Sequence, residues 1–419
     1  MKLNVFWETR LVGQLWLDSR QRIIFQYHPA YLSQKSAHSL SLRLPLRDDP
    51  YEDDSARPFF SNLLPEGDIR DLISKIVHVS KQNDFALLRE IGGECAGAIT
   101  VLPEGHTPVE SGRYRRISRG DLEEMIEKRA KTPLLASRKD LRLSLAGAQD
   151  KLPIYISKNK VYLPTENAPS SHILKPQIRG FADTVHNEAF CMMLAKNIFS
   201  PVLKIPEINI WHGKQGTDND ALVIERYDRR VLKEGRVQRI HQEDFCQALG
   251  YLANQKYENE GGPGLMECFS LLSKSSTQPI VDRLHLLKWV IYNYLIGNND
   301  AHAKNIAILF SDGDPVLAPF YDMLCTQVYS ELSEKMAMKI GGEIRHKYVY
   351  LRHWEKLALG IEIKQKIVIE LLKEYSVKVI KEAEDFAQIF STNYGGRAIV
   401  DDVLGVIRMN SAKIGNLLS

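Results

Sequence analysis

The chain has 419 residues, 44% apolar and 26% charged, a balance that provides a sizeable core for roughly two or three domains. A net charge of +3 is too mildly basic to mark a nucleic-acid groove without a clustered patch. The five cysteines, Cys95, Cys191, Cys246, Cys268 and Cys325, stand singly with no CxxC pair, which argues against a disulfide framework or a zinc site and for a reducing cytosol.

Residues 1 to 105 read as one compact α+β domain. LNVFWE, LVGQLWLD and RIIFQYH alternate apolar and polar residues as strands do. This start lacks an apolar signal core, and no run approaches the ~18 apolar residues of a membrane span, so the expectation is a cytoplasmic chain that avoids membranes. FFSNLLPEGDIRDLISKI reads as helix, IGGECAG as a Gly-rich turn, and PEGHTPVESGRYRR as a polar boundary. In SRGDLEEMIEKRAK, Ser118 is placed to cap a helix. KLPIYIS and VYLPT then form a hairpin around KNK, SHILKPQI is a strand bearing Lys175, and HNEAFCMMLAKNIF is a helix with Glu188 near its start. IPEINIWH and ALVIERYDRR are two further strands. From HQEDFCQALGYLA onward the chain is expected to be helical except for one hairpin. PIVDRLHLLKWVIYNYLIGN carries an apolar stripe of Ile280, Leu284, Leu287, Ile291 and Leu295, stopped by Gly297.

A small-residue loop, a hairpin, a strand lysine, a helix glutamate, a connector and then helices around an Asp/Asn hairpin make the element order of a protein-kinase-like fold. Phosphoryl transfer asks a protein mainly to neutralise a triphosphate, hold Mg²⁺ and aim a hydroxyl. Lys175 could meet nucleotide phosphates, or be an exposed strand lysine. Glu188 could pair with it, or complement a helix dipole. Asp300 follows the Gly297 stop and can accept the proton of an attacking hydroxyl. Asn305 and Asp322 offer the hard oxygens that suit Mg²⁺. The competing reading is that NND caps a helix and YD ends a strand. Glu225 and Tyr227 of ERYDR could meet the adenine edge or be surface charge and packing. His302 could be catalytic or could brace the turn. There is no GxxxxGK[ST], HExxH or GxSxG, and no GxGxxG after a strand.

Eight collinear blocks carry a family resemblance: FFSNLLPEGD, IGGECAGAI, SLAGAQDK, HILKP, ERYDR, HQEDFCQALG, NNDAHAKN and YDMLCT. In these the chain resembles the HipA-type serine/threonine kinases of bacterial toxin–antitoxin systems along nearly its whole length. The resemblance implies a two-lobed α+β kinase fold with an additional N-terminal domain. Its parts are an N-terminal domain at 1–105, a mixed small lobe with linker at 106–230, and a mainly helical large lobe at 231–419. It implies ATP and Mg²⁺ as cofactors, with Lys175 on the phosphates, Glu225 and Tyr227 at the adenine, Asp300 as base, and Asn305 and Asp322 on the metal. The backbone of Ala146, Gly147 and Ala148 would cradle phosphate, and Ser144 would be autophosphorylated to silence the enzyme. A phosphate there adds about two negative charges beside a triphosphate site and favours an ejected loop. The protein substrate implied is an aminoacyl-tRNA synthetase such as the glutamyl enzyme. The partner implied is a small helix-turn-helix antitoxin of the HipB kind, through which operator DNA is met indirectly.

Two other classes fit parts of this pattern: a catalytically idle co-repressor that thickens an antitoxin–DNA complex, and a small-molecule kinase of the same fold. The intact set Lys175, Asp300, Asn305 and Asp322 argues against the first, and the N-terminal domain with the Ser144 loop against the second.

Overall fold

The computed structural model describes residues 1–109, 112–129, 134, 147, 149–214, 219–233, 235–311 and 313–418. Its backbone divides into two units. One comprises Met1–Pro176, His212–Asn254 and Leu309–Asp314, the other Gln177–Trp211, Gln255–Ile308 and Pro315–Ser419. The elements are mixed helix and sheet, as the sequence order implies.

In the first unit, strands Ile23–Tyr27, Arg10–Leu17, Lys2–Trp7 and Ile99–Pro103 lie in that order in one antiparallel sheet. Alternation, with a register shift opposite Val5 and Phe6 that skips Val12, puts Leu3, Val5, Val12, Leu15, Ile23 and Phe25 into a core closed by Phe59, Phe60 and Leu88. FFSNLLPEGDIRDLISKI is not one helix. Asp53–Ser61 and Gly67–Ile76 are separate helices, because Pro65 lacks an amide hydrogen and disfavours helical backbone at the residue before it. Ser118 does cap the helix Arg119–Lys128, accepting the Asp121 amide at 3.1 Å.

The same unit orders Arg113–Arg116, Lys160–Thr165, Leu152–Ser157, His172–Pro176 and Ala221–Glu225 in a second antiparallel sheet. Its expected hairpin turns through Lys158 and Asn159, both left-handed at φ 47° and 58°, the twist that a two-residue hairpin loop requires. HQEDFCQALG departs from the helical expectation. His241–Asp244 is a strand with His241 and Glu243 buried, and the short helix Phe245–Leu249 begins only where Asp244 and Gln247 form a reciprocal capping box.

In the second unit, the helix Pro279–Ile296 is buried on several sides over its last three turns, through Leu286, Leu287, Trp289, Val290, Ile291 and Leu295. The expected stripe holds only there: Ile280 is 83% exposed. The helices Leu265–Ser275, Gln365–Tyr394 and Arg397–Leu418 pack around it, so burial does not follow a single face. A second hairpin, Lys335–Ile340 with Glu343–Arg345, also breaks the helical expectation. Its signal was present in the alternation of KMAMKI and the Gly341–Gly342 turn.

Glu243 is buried, accepting hydrogen bonds from the Ser41 hydroxyl at 2.6 Å and the Leu42 amide at 2.8 Å. Burial pushes its carboxyl from an ordinary 4.5 up to about 8 despite those two donors. The folded state therefore holds a proton that the unfolded chain releases, and this contribution is lost as pH rises from about 4.5 to about 8. Glu243→Gln mimics the protonated acid. Denaturant titrations at pH 5.5 and 8.5 are expected to show wild-type stability falling more steeply with pH than that of the variant; parallel slopes would assign the proton elsewhere.

Candidate active site

Within the first unit, Lys175 sits on the strand His172–Pro176 opposite Leu222, and is 6% exposed. It is thus not an exposed strand lysine. Glu225 ends the neighbouring strand opposite His172 and is exposed. Beyond it the side chains alternate. Arg226 and Asp228 are buried, while Tyr227 is half-buried and its hydroxyl donates to Gln242.

The inward pair enters a cluster of charges. Arg226 donates to Asp228 at 2.7 and 2.9 Å and to Glu94 at 3.2 Å, and Arg229 donates to Asp228 at 2.9 Å and to Glu94 at 3.3 Å. Glu94 also accepts from the Ser170 amide at 2.8 Å. Burial alone would raise the Glu94 and Asp228 carboxyls, but the surrounding guanidinium groups hold both below their ordinary values. Gly97 completes the cluster: its amide donates to Asp228 at 2.8 Å, and its carbonyl accepts from Arg229 at 2.8 Å. Its φ is +70°, and a Cβ there would lie 2.8 Å from the Gln242 amide nitrogen, so glycine is required. IGGECAG and ERYDR are therefore two halves of one polar core, and Glu94 is a residue that the sequence reading did not single out.

Gly147 is the one described member of the expected phosphate cradle, and its carbonyl accepts the Glu66 amide at 3.0 Å. Ser144, Ala146 and Ala148 lie outside the described residues.

In the second unit the helix Pro279–Ile296 ends at Gly297, left-handed at φ 71°. A Cβ there would lie 2.7 Å from Val406. Both asparagines of NND are structural. Asn298 donates to Asn293 at 2.7 Å and accepts the Asp300 amide at 3.0 Å. Asn299 takes its amide to the Thr326 hydroxyl at 2.7 Å and its carbonyl to the Ala337 amide at 2.7 Å. The turn reading thus holds for these two, and their work is to fix Asp300, which stays half-buried.

Asn305 donates its amide nitrogen to the Asp300 carbonyl at 3.1 Å, which turns its amide oxygen the other way. Tyr321 donates to the Lys304 carbonyl at 2.8 Å, and Asn298 approaches the Asp322 carbonyl at 3.5 Å. Asp322 is thereby brought beside the 300–305 turn, with a left-handed φ of 61° that is uncommon for a residue with a side chain. An amide oxygen and a carboxylate fit a hard divalent ion such as Mg²⁺. No three described residues among His, Cys, Asp and Glu gather as a metal site. His302 is buried in the turn, and its backbone amide donates to the Asp300 carbonyl at 2.9 Å.

Glu188 is buried on the helix Thr184–Phe199 beyond its first turn, which does not match simple dipole complementation. Its neighbour Asn187, passed over in the sequence, clamps the segment after Asp322. Its oxygen accepts the Cys325 amide at 2.8 Å, and its nitrogen donates to the Cys325 carbonyl at 2.9 Å. Tyr257 is a second residue missed, its hydroxyl donating to Asp300 Oδ1 at 2.8 Å. The GGPG that follows it signalled only a turn.

This mixed helix and sheet architecture is that of a protein-kinase-like α+β fold. The described family of HipA N-terminal domains matches residues 3–102, and that of HipA-like C-terminal domains matches 143–383. The serine/threonine-protein kinase toxin HipA of Shewanella oneidensis is 30% identical over 381 residues, 88% of this chain and 85% of that protein. Y4mE of Sinorhizobium fredii, a provisional kinase by its name, is 39% identical over 412 residues, 96% of this chain and 97% of that one. The solved complex of Shewanella oneidensis HipA with HipB and operator DNA contains a chain matching 99% of this one at TM-score 0.83 and 25% identity. The chain belongs to the HipA family.

Removing one partner from a buried ion cluster leaves the others uncompensated, at a cost of roughly 3–5 kcal/mol. Glu94→Gln is expected to lower stability by about that amount in urea unfolding. A loss under about 1 kcal/mol would mean that the arginines find other partners or stay hydrated.

Proposed function

We propose that this protein is an ATP- and Mg²⁺-dependent serine/threonine protein kinase acting as the toxin of a toxin–antitoxin module in the cytoplasm. The observation that carries the reading is the turn in which Asn298 and Asn299 fix Asp300 while Asn305 bonds its carbonyl. A base on such a frame keeps its aim without reorganising during the reaction. Asp300 would take the proton of a serine hydroxyl as that oxygen bonds to the γ-phosphorus and the bond to the ADP oxygen breaks. Asn305 and Asp322 would hold Mg²⁺, which when bound neutralises phosphate charge. Lys175 would hold the phosphates, Glu188 would support it, and Glu225 and Tyr227 would line the adenine. The burial of Lys175 and Glu188 supports those two roles.

The loop carrying Ser144, with the backbone of Ala146, Gly147 and Ala148, would cover the phosphates, and phosphorylation of Ser144 would switch the enzyme off. Residues 1–105 would form the added domain, 106–230 the small lobe and 231–419 the large lobe. The partner would be a HipB-like antitoxin that brings operator DNA, and the substrate an aminoacyl-tRNA synthetase; likeness to the HipA of the HipB–DNA complex supports the antitoxin.

Incubation with MgATP is expected to yield one phosphate at Ser144 by mass spectrometry, and Asp300→Asn to remove it. Undiminished phosphate in that variant would take Asp300 out of the mechanism. Expression without antitoxin is expected to arrest growth and Asp322→Ala to relieve it; persistent arrest would point to harm by a route other than phosphoryl transfer.

A further inference from the structure

Along the chain, Tyr257 falls after the short helix Phe245–Leu249 and before the helix Leu265–Ser275, in a turn that nothing in the assigned chemistry uses. Its carbonyl accepts the amides of Glu260 and Gly262, both at 2.9 Å, which closes the turn tightly. The next residue, Glu258, accepts the Lys339 amide at 2.6 Å and pairs with the Lys339 ammonium at 3.5 Å. Lys339 belongs to the strand Lys335–Ile340, and Ala337 of that strand donates to the Asn299 carbonyl, one residue before Asp300. One strand therefore sets the register of both Tyr257 and Asp300. The Tyr257 ring also stands edge-on to His302, centroids 5.7 Å apart, and its hydroxyl reaches Asp300 Oδ1.

From this geometry we infer that Tyr257 is a positioning residue for phosphoryl transfer. Its hydroxyl engages one carboxylate oxygen of Asp300 and so directs the other at the acceptor hydroxyl. A general base whose carboxylate can rotate about its Cβ–Cγ bond presents its oxygens in many directions. A donor fixed on a second element removes that freedom while leaving one oxygen for the incoming proton. The inference rests on Asp300 being the base.

Transfer of the γ-phosphate from radiolabelled ATP, to protein and to water, measures it on the full chain. Tyr257→Phe keeps the ring against His302 and deletes only the hydroxyl. It is expected to lower kcat about tenfold or more with KM for MgATP within about twofold, at an unchanged thermal midpoint. In the Asp300→Asn background the same change is expected to cause no further loss, since the two groups act as one unit. Unchanged kcat in Tyr257→Phe overturns the inference. A raised kcat also overturns it, by showing that the hydroxyl occupies the acceptor's seat, and a rise confined to KM overturns it by moving Tyr257 to nucleotide binding. Full activity in Asp300→Asn overturns the proposed base and this inference together; full activity in Tyr257→Phe alone leaves the base standing.

Discussion

The buried carboxylate of Glu94, set among Arg226, Arg229 and Arg239 with Asp228 as its counterpart, joins the 94–97, 170 and 226–229 segments of the first unit. Such a cluster is costly to desolvate and earns little net stability against a well-packed apolar core. Its value lies in geometry: each member is satisfied only when the others are in place. Because Arg226 and Asp228 alternate with Glu225 and Tyr227, fixing the inward pair fixes the direction of the outward pair. The IGGECAG turn thus holds in place the segment proposed to meet adenine. Charge buried next to this strand trades stability for a single arrangement.

The second unit solves the same problem with neutral groups. Gly297 stops a helix, and four side-chain amides, those of Asn187, Asn298, Asn299 and Asn305, bond backbone carbonyls and amides around the Asp300 turn and the Asp322 segment. Amides both donate and accept, so they can brace a turn without adding charge beside a site proposed to hold a metal nucleotide. Asp300 and Asp322 remain half-buried while these asparagines are buried.

Much of this was legible in the sequence. The strand alternation of LNVFWE, the hairpin of KLPIYIS and VYLPT, the Ser118 cap and the Gly297 stop were read correctly because each is a local signal with one strong cause. Where burial comes from several sides, periodicity fails, as at Ile280 and along the crowded end of Pro279–Ile296. A strong local rule also lost where a single residue changed the outcome, Pro65 dividing one expected helix and Asp244 delaying another. The roles of Asn187 and Glu94 were not legible, since each depends on a partner more than a hundred positions away. Tyr257 is 43 positions from Asp300, and nothing in KYENEGG announces that contact.

The two proposals most open to direct test are that Lys175 meets nucleotide phosphates and that Asn305 and Asp322 hold Mg²⁺. Calorimetric titration of ATP with and without Mg²⁺ into wild type, Lys175→Ala and Asp322→Asn tests both. The account predicts that Mg²⁺ tightens binding to wild type, that Asp322→Asn abolishes this gain, and that Lys175→Ala weakens binding with or without the ion. ATP affinity indifferent to Mg²⁺ and to both substitutions would contradict it.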